Sequence, residues 1–264
     1  MGRPNHKNPL APPIPGEPGP WAMCLTAMAV GIGSAGVSWA ALFFVLSALC
    51  LFLLREPLET LGRGKFGRRQ GLWGLIYLGL ALLFAMPLLL RGRWFILPLG
   101  AVAVLALLGH ILLVRHRRER AWWGELVGIG GLSLGAWGAY YASLGVLNEI
   151  GAFLWLLVFL YLGSSVFFVK MMVRRKGECP LRKRLGLGRD VLLYQALLWP
   201  LLLGLGLGGL VPLWTLLAFI PLAFKVFLAV FIGARPASIR ALGRQEVAYS
   251  TLFAVILVLA FRLS

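Results

Sequence analysis

Residues 21–54 read WAMCLTAMAVGIGSAGVSWAALFFVLSALCLFLL, an uninterrupted run with no charged side chain. As one helix it would reach roughly 51 Å, against a bilayer core of about 30 Å. One crossing therefore cannot use it. The small and polar cluster GIGSAGVS, residues 31–38, offers the turn that divides it in two. The same reasoning applies to residues 191–232, which break at GGLVP, residues 208–212. Further apolar runs cover residues 72–90, 94–114, 122–142, 149–169 and 246–262. The expected fold is all-α, a polytopic transmembrane helix bundle of about nine spans.

Composition agrees with that class. Hydrophobic residues make up 60% of the 264, and charged residues only 13%, about half the share in a soluble domain. Residues 1–20 are proline-rich and read as an extended tail, since proline fixes φ and removes a donor. Residues 21–264 read as a single transmembrane domain. The apolar region after the tail runs far beyond the short core of a secretory signal. Cys24, Cys50 and Cys179 lack the close spacing of a redox or zinc motif, and His6, His110 and His116 are scattered without ligand spacing.

The 26 Lys and Arg against nine Asp and Glu give a net charge of +17. These cations do not form a nucleic-acid stripe. They fill the gaps between apolar runs. Counting along the chain, the tail and the even-numbered gaps hold 22 Lys and Arg. The odd gaps and the C-terminal end hold only Arg91, Arg93 and Arg262, and Lys225 remains within a span. The positive-inside rule then places the N-terminus in the cytoplasm and the C-terminus on the opposite side.

Two gaps concentrate the charge: REPLETLGRGKFGRRQ, residues 55–70, and the stretch after Val169, KMMVRRKGECPLRKRLGLGRD, ending at Asp190. Arg55, Arg63, Lys65, Arg68 and Arg69 in the first, with Lys170, Arg174, Arg175 and Lys176 in the second, are candidates to hold an anionic headgroup or diphosphate. The plainer reading is that they only orient the chain and touch anionic lipid. Within the spans, Lys225 either snorkels to the interface or holds an anion. Glu125 is its potential partner. Glu149 caps a helix start. Glycines 124, 128, 131, 135 and 138 recur at helical spacing and point to close helix packing. Any magnesium would have to come from Glu56, Glu59, Glu178 and Asp190, a poor set for a hard cation; no cofactor is expected otherwise.

Three stretches carry a resemblance. PGEPGPWAM, residues 15–23, resembles the Pro-x-Glu-His-Gly-x-Trp-x-Met signature that opens the YwiC-like family of bacterial membrane proteins. FLYLGSSVFFVKMMVRRKG, residues 159–177, is similar to that family's central segment, and RPASIRALGRQEVAYSTLFAVILVLAFRL, residues 235–263, to its close. Glu17, Gly19 and Trp21 keep their signature places, while Pro18 stands where the family has His. The resemblance implies a bacterial inner-membrane protein. More distantly, the pattern is similar to UbiA-type prenyltransferases, which have nine helices and functional cytoplasmic loops after the second and sixth. That family holds magnesium and an isoprenyl diphosphate with Asp-rich motifs. Neither motif stands in this sequence.

Three function classes follow. The first is a non-catalytic membrane protein whose basic loops hold an anionic lipid or isoprenoid headgroup. The second is a divergent prenyl or lipid transferase using magnesium. The third is a small-solute transporter, which requires charged or broken helices at membrane depth. The implied partners are the bilayer, anionic lipid and an isoprenoid.

Overall fold

The computed structural model describes residues 12–13, 15, 18–64, 67–116, 122–175, 177 and 179–264. Their secondary structure is helical throughout, and each expected apolar run forms a helix. In chain order these are α1 (Pro18–Ala35), α2 (Trp39–Gly62), α3 (Arg68–Leu90), α4 (Ile96–Arg115), α5 (Trp122–Leu144) and α6 (Glu149–Arg174). After them come a short α7 (Leu181–Leu187), then α8 (Arg189–Leu207), α9 (Thr215–Phe227) and α10 (Ile239–Arg262). The two long runs divide where their sequences allow. Gly36 takes φ +99° between α1 and α2, and the Ser38 hydroxyl accepts from the Ala41 N–H to start α2. Gly209 at φ +70° does the same between α8 and α9.

The expected count of nine spans needs correction. Among the described residues, seven helices are long and apolar enough to cross a membrane: α2, α3, α4, α6, α8, α9 with its final turn, and α10. The 18 residues of α1 rise only about 27 Å. In α5 glycine, tryptophan and tyrosine dilute the aliphatic residues. Both helices are interior. α1 packs on α5 and α10, while α5 is flanked by α1, α2, α4 and α6. Ala27 and Val30 of α1 and Ala136 and Ala139 of α5 are fully buried. A helix screened by neighbours does not need lipid-grade hydropathy, which explains the shortfall.

Small residues hold this interior together. A Cβ at Gly31 would fall on the Ala136 carbonyl oxygen, and one at Gly138 on the Phe44 ring. Lipid tails give helices no hydrophobic reason to associate, so close backbone approach and interhelical hydrogen bonds supply the attraction. Gln195 Nε2 donates to Ser164 Oγ at 3.0 Å, tying α8 to α6. Tyr161 stacks on Phe253 with centroids 3.9 Å apart, tying α6 to α10.

Contacts between helix ends sort into the two ends of the bundle. At one, Arg93 donates to the carbonyls of Tyr141 and Ala142 at the close of α5, and Arg262 Nε to the Gly33 carbonyl at 2.6 Å. Two of the three arginines that stand apart in the charge count thus satisfy helix C-terminal carbonyls. At the other end α9 finishes in a single π turn, Leu228–Ile232, closed by Gly233 at φ +94°.

Candidate functional site

The first basic stretch, residues 55–70, is not the plain gap between spans that its charges suggest. α2 continues to Gly62 with Pro57 buried inside it. Arg55, Glu59 and Arg63 therefore stand one turn apart on a single helical stripe. Glu59 is the hub. Arg55 Nε donates to its Oε1 and Arg63 Nη2 to its Oε2 at 3.2 Å. His110, brought in by α4, places Nε2 3.2 Å from Glu59 Oε1 and 3.3 Å from Arg55 Nη2. The other ring nitrogen, Nδ1, is buried and has no hydrogen-bond partner among the described residues.

This cluster lines a polar cavity of about 540 Å³ between α2, α4 and α5, with Glu56, Glu125, Val114 and Ile129 in the same wall. Pro15, Pro20 and Met23 close it from the N-terminal side and Val166 from α6. Below lies a second, apolar cleft of about 170 Å³, lined by Met28, Phe44, Phe52, Leu99 and Leu107 among others. Gly128, Gly131, Gly135 and Gly138 form its floor. The glycine stripe of α5 thus serves both close packing and the cleft. Arg55, His110, Gly128 and Leu132 belong to both linings. The polar chamber and the greasy cleft meet at these four residues.

The remaining candidates fall in separate places. Arg68 is exposed and Arg69 half-buried in the first turn of α3. Lys170 pairs with Glu125, so Glu125 does not meet Lys225. Lys225 does not snorkel either. It is 2% exposed, pairs with Glu246, and lies 4.6 Å from the Phe168 ring centroid. Arg174 reaches Asp190 at 3.7 Å with both side chains largely exposed. Arg175 is 5% exposed and donates to the carbonyls of Ala229, Gly233 and Ala234, closing the π turn after α9. The second basic loop is thus engaged with the end of α9 through Arg175 and α7, while among its described cations Lys170 reaches the cavity wall, through Glu125.

The family-signature residues lie beside the chamber. Trp21 Nε1 donates to the Pro15 carbonyl at 3.0 Å, and its ring meets Phe52 edge-on at 4.9 Å. Gly19 has open space around it. Glu17, Lys65, Lys176 and Glu178 lie outside the described residues. No group of three His, Cys, Asp or Glu able to hold a metal occurs among the described residues. Two of the acids proposed for magnesium are already engaged by cations: Glu59 is surrounded by two guanidiniums and a histidine, and Asp190 faces Arg174.

The family described as YwiC-like protein matches residues 14–140, the stretch that carries Trp21, α2, α4 and most of α5. That stretch is similar to the YwiC-like family. The matched stretch therefore supplies, among the described residues, every lining residue of the chamber but Val166. Over its fuller length the chain is 25% identical to "Uncharacterized protein YwiC" of Bacillus subtilis (strain 168), covering 93% of this chain and 97% of that protein. It is 28% identical to an "Uncharacterized protein" of Haemophilus influenzae, covering 62% of this chain and 68% of that one. No solved structure matches the chain.

Proposed function

We propose that this YwiC-like membrane protein is a holder of a phosphate-bearing amphiphile, with the headgroup in the polar chamber and the chain along the apolar cleft. One observation carries the reading: Arg55 and His110 stand in the walls of both spaces. From Arg55 to Phe44 along α2 the cleft runs roughly 17 Å, enough for a lipid or isoprenoid chain. A guanidinium has more N–H donors than the contacts to Glu59 and His110 consume, so Arg55 and Arg63 keep donors for phosphate oxygens while Glu59 orients them. On this reading the basic ends of α2, α4 and α6 face the cytoplasm of a bacterial cytoplasmic membrane.

Native mass spectrometry of the detergent-extracted protein tests this. A lipid or isoprenoid adduct is expected on the wild type and a reduced one on Arg55→Gln with Arg63→Gln. A wild type bare in mild detergent, and unaltered in stability by added lipid, overturns the reading.

A further inference from the structure

We propose that the headgroup held in the polar chamber carries a primary ammonium beside its phosphate, making the ligand an aminophospholipid-class amphiphile. The proposal rests on the amphiphile-holding reading and narrows it.

The charges of the chamber wall are the first support. Among the described residues of the lining, Arg55 and Arg63 are matched by Glu56 and Glu59, and Glu125 is matched by Lys170 from just outside it. A site whose own charges cancel offers no net attraction to a lone anion, and an uncompensated negative charge in a half-enclosed cavity is costly. A headgroup with one phosphate and one ammonium enters without that cost.

The second support is the position of Glu56. Glu59 is fully engaged, with contacts to Arg55, Arg63 and His110. Glu56 is half-buried and lines the same chamber, yet among the described residues its carboxylate meets no cation. It lies about 100° around α2 from Arg55. Phosphate on the guanidiniums and ammonium on Glu56 would thus occupy neighbouring walls, at the spacing of a short headgroup.

The third support separates amines by class. Quaternary ammonium groups are recognised by aromatic rings, because they have no N–H to donate. Among the side chains the structure describes, which leave out those of Trp122 and Trp123, no Phe, Tyr or Trp lines the chamber. Carboxylate recognition of a hydrogen-bonding ammonium is the chemistry this wall provides.

The test uses the full chain in detergent and three lipids with identical acyl chains, bearing phosphoethanolamine, phosphocholine or phosphoglycerol headgroups. Water-soluble phosphoethanolamine forms a fourth arm. Affinity is read by native mass spectrometry titration, and folding of each variant by its lipid-free melting temperature. The phosphoethanolamine lipid is expected to bind about tenfold more tightly than the other two, a difference typical of one added charged contact. Glu56→Gln should erase that preference while retaining the phosphoglycerol lipid. Equal or tighter binding of phosphoglycerol lipid by the wild type, still lost in Arg55→Gln, overturns the amine and leaves the holder standing. Soluble phosphoethanolamine binding as tightly as the lipid overturns the amphiphile as its source. Absence of binding in every arm removes both readings.

Discussion

Lys225 Nζ lies 2.8 and 2.7 Å from the two carboxylate oxygens of Glu246, joining α9 to α10 inside the bundle. Ser165 of α6 donates its hydroxyl to the same carboxylate, and Tyr249 places its ring 5.1 Å from the ammonium. Three helices thus share one buried charge pair. Removing either partner alone strands the other, at a cost of about 3–5 kcal/mol. Lys225→Met and Glu246→Leu should each lower the melting temperature sharply. The double variant Lys225→Met with Glu246→Leu should recover most of the loss. Additive losses in the double variant would show that the two charges do not act as a pair.

Arg174 and Arg175 are adjacent and both basic, yet their environments differ completely. Arg175 satisfies carbonyls beyond α9, whereas the Arg174 side chain is 58% exposed in its pair with Asp190. Arg175→Ala should destabilise by about 2–3 kcal/mol, because it orphans buried carbonyls. Arg174→Ala should change stability by under about 1 kcal/mol. Thermal unfolding in detergent compares them, and equal effects would remove the distinction.

Glycine at position 31 is required by the Ala136 carbonyl beside it, whereas nothing lies within 4 Å of a Cβ at Gly79. Gly31→Ala should cost about 1–3 kcal/mol through overpacking against backbone that cannot yield. Gly79→Ala should be neutral or stabilising by up to about 1 kcal/mol, from helix propensity. A tolerated Gly31→Ala would mean that α1 and α5 are less closely packed than described.

Cys179 supplies a native label for the second basic loop, since Cys24 and Cys50 are buried. With a membrane-impermeant maleimide on intact cells, Cys179 should stay unlabelled. Arg91→Cys in a Cys179→Ser background should react. Labelling of both from the same side would overturn the proposed orientation.

The helices themselves are legible in the sequence, because an apolar run matched to bilayer thickness leaves little freedom. The turns at Gly36 and Gly209 fall where over-long runs had to break. Lateral neighbours are not legible, and they decide the span count: α1 and α5 fall short of lipid-grade apolarity because other helices screen them. The same limit hid the chamber. His110 is the sole polar side chain in α4 before its terminal arginine, a signal readable in the sequence. Its meaning appears only when α4 lies beside Glu59. Arg55, Glu59 and Arg63 had helical spacing, but the charge of residues 55–70 set them in a gap between apolar runs. Glu246 looked like the edge of the last apolar run, and α10 begins at Ile239, well before it.

The clamp of Arg93 on the last carbonyls of α5 sets what the cleft can accomplish. Phe44 and Ile96 at its lower limit pack with Leu88, Phe95 and Tyr141, directly above that clamp. A chain inserted from the Arg55 side therefore meets a stopper and must leave by its own entrance or sideways into lipid. On the proposed amphiphile-holding reading, such a space would be a berth and not a corridor. Its output would then be residence time, set by how firmly the charged chamber keeps its guest.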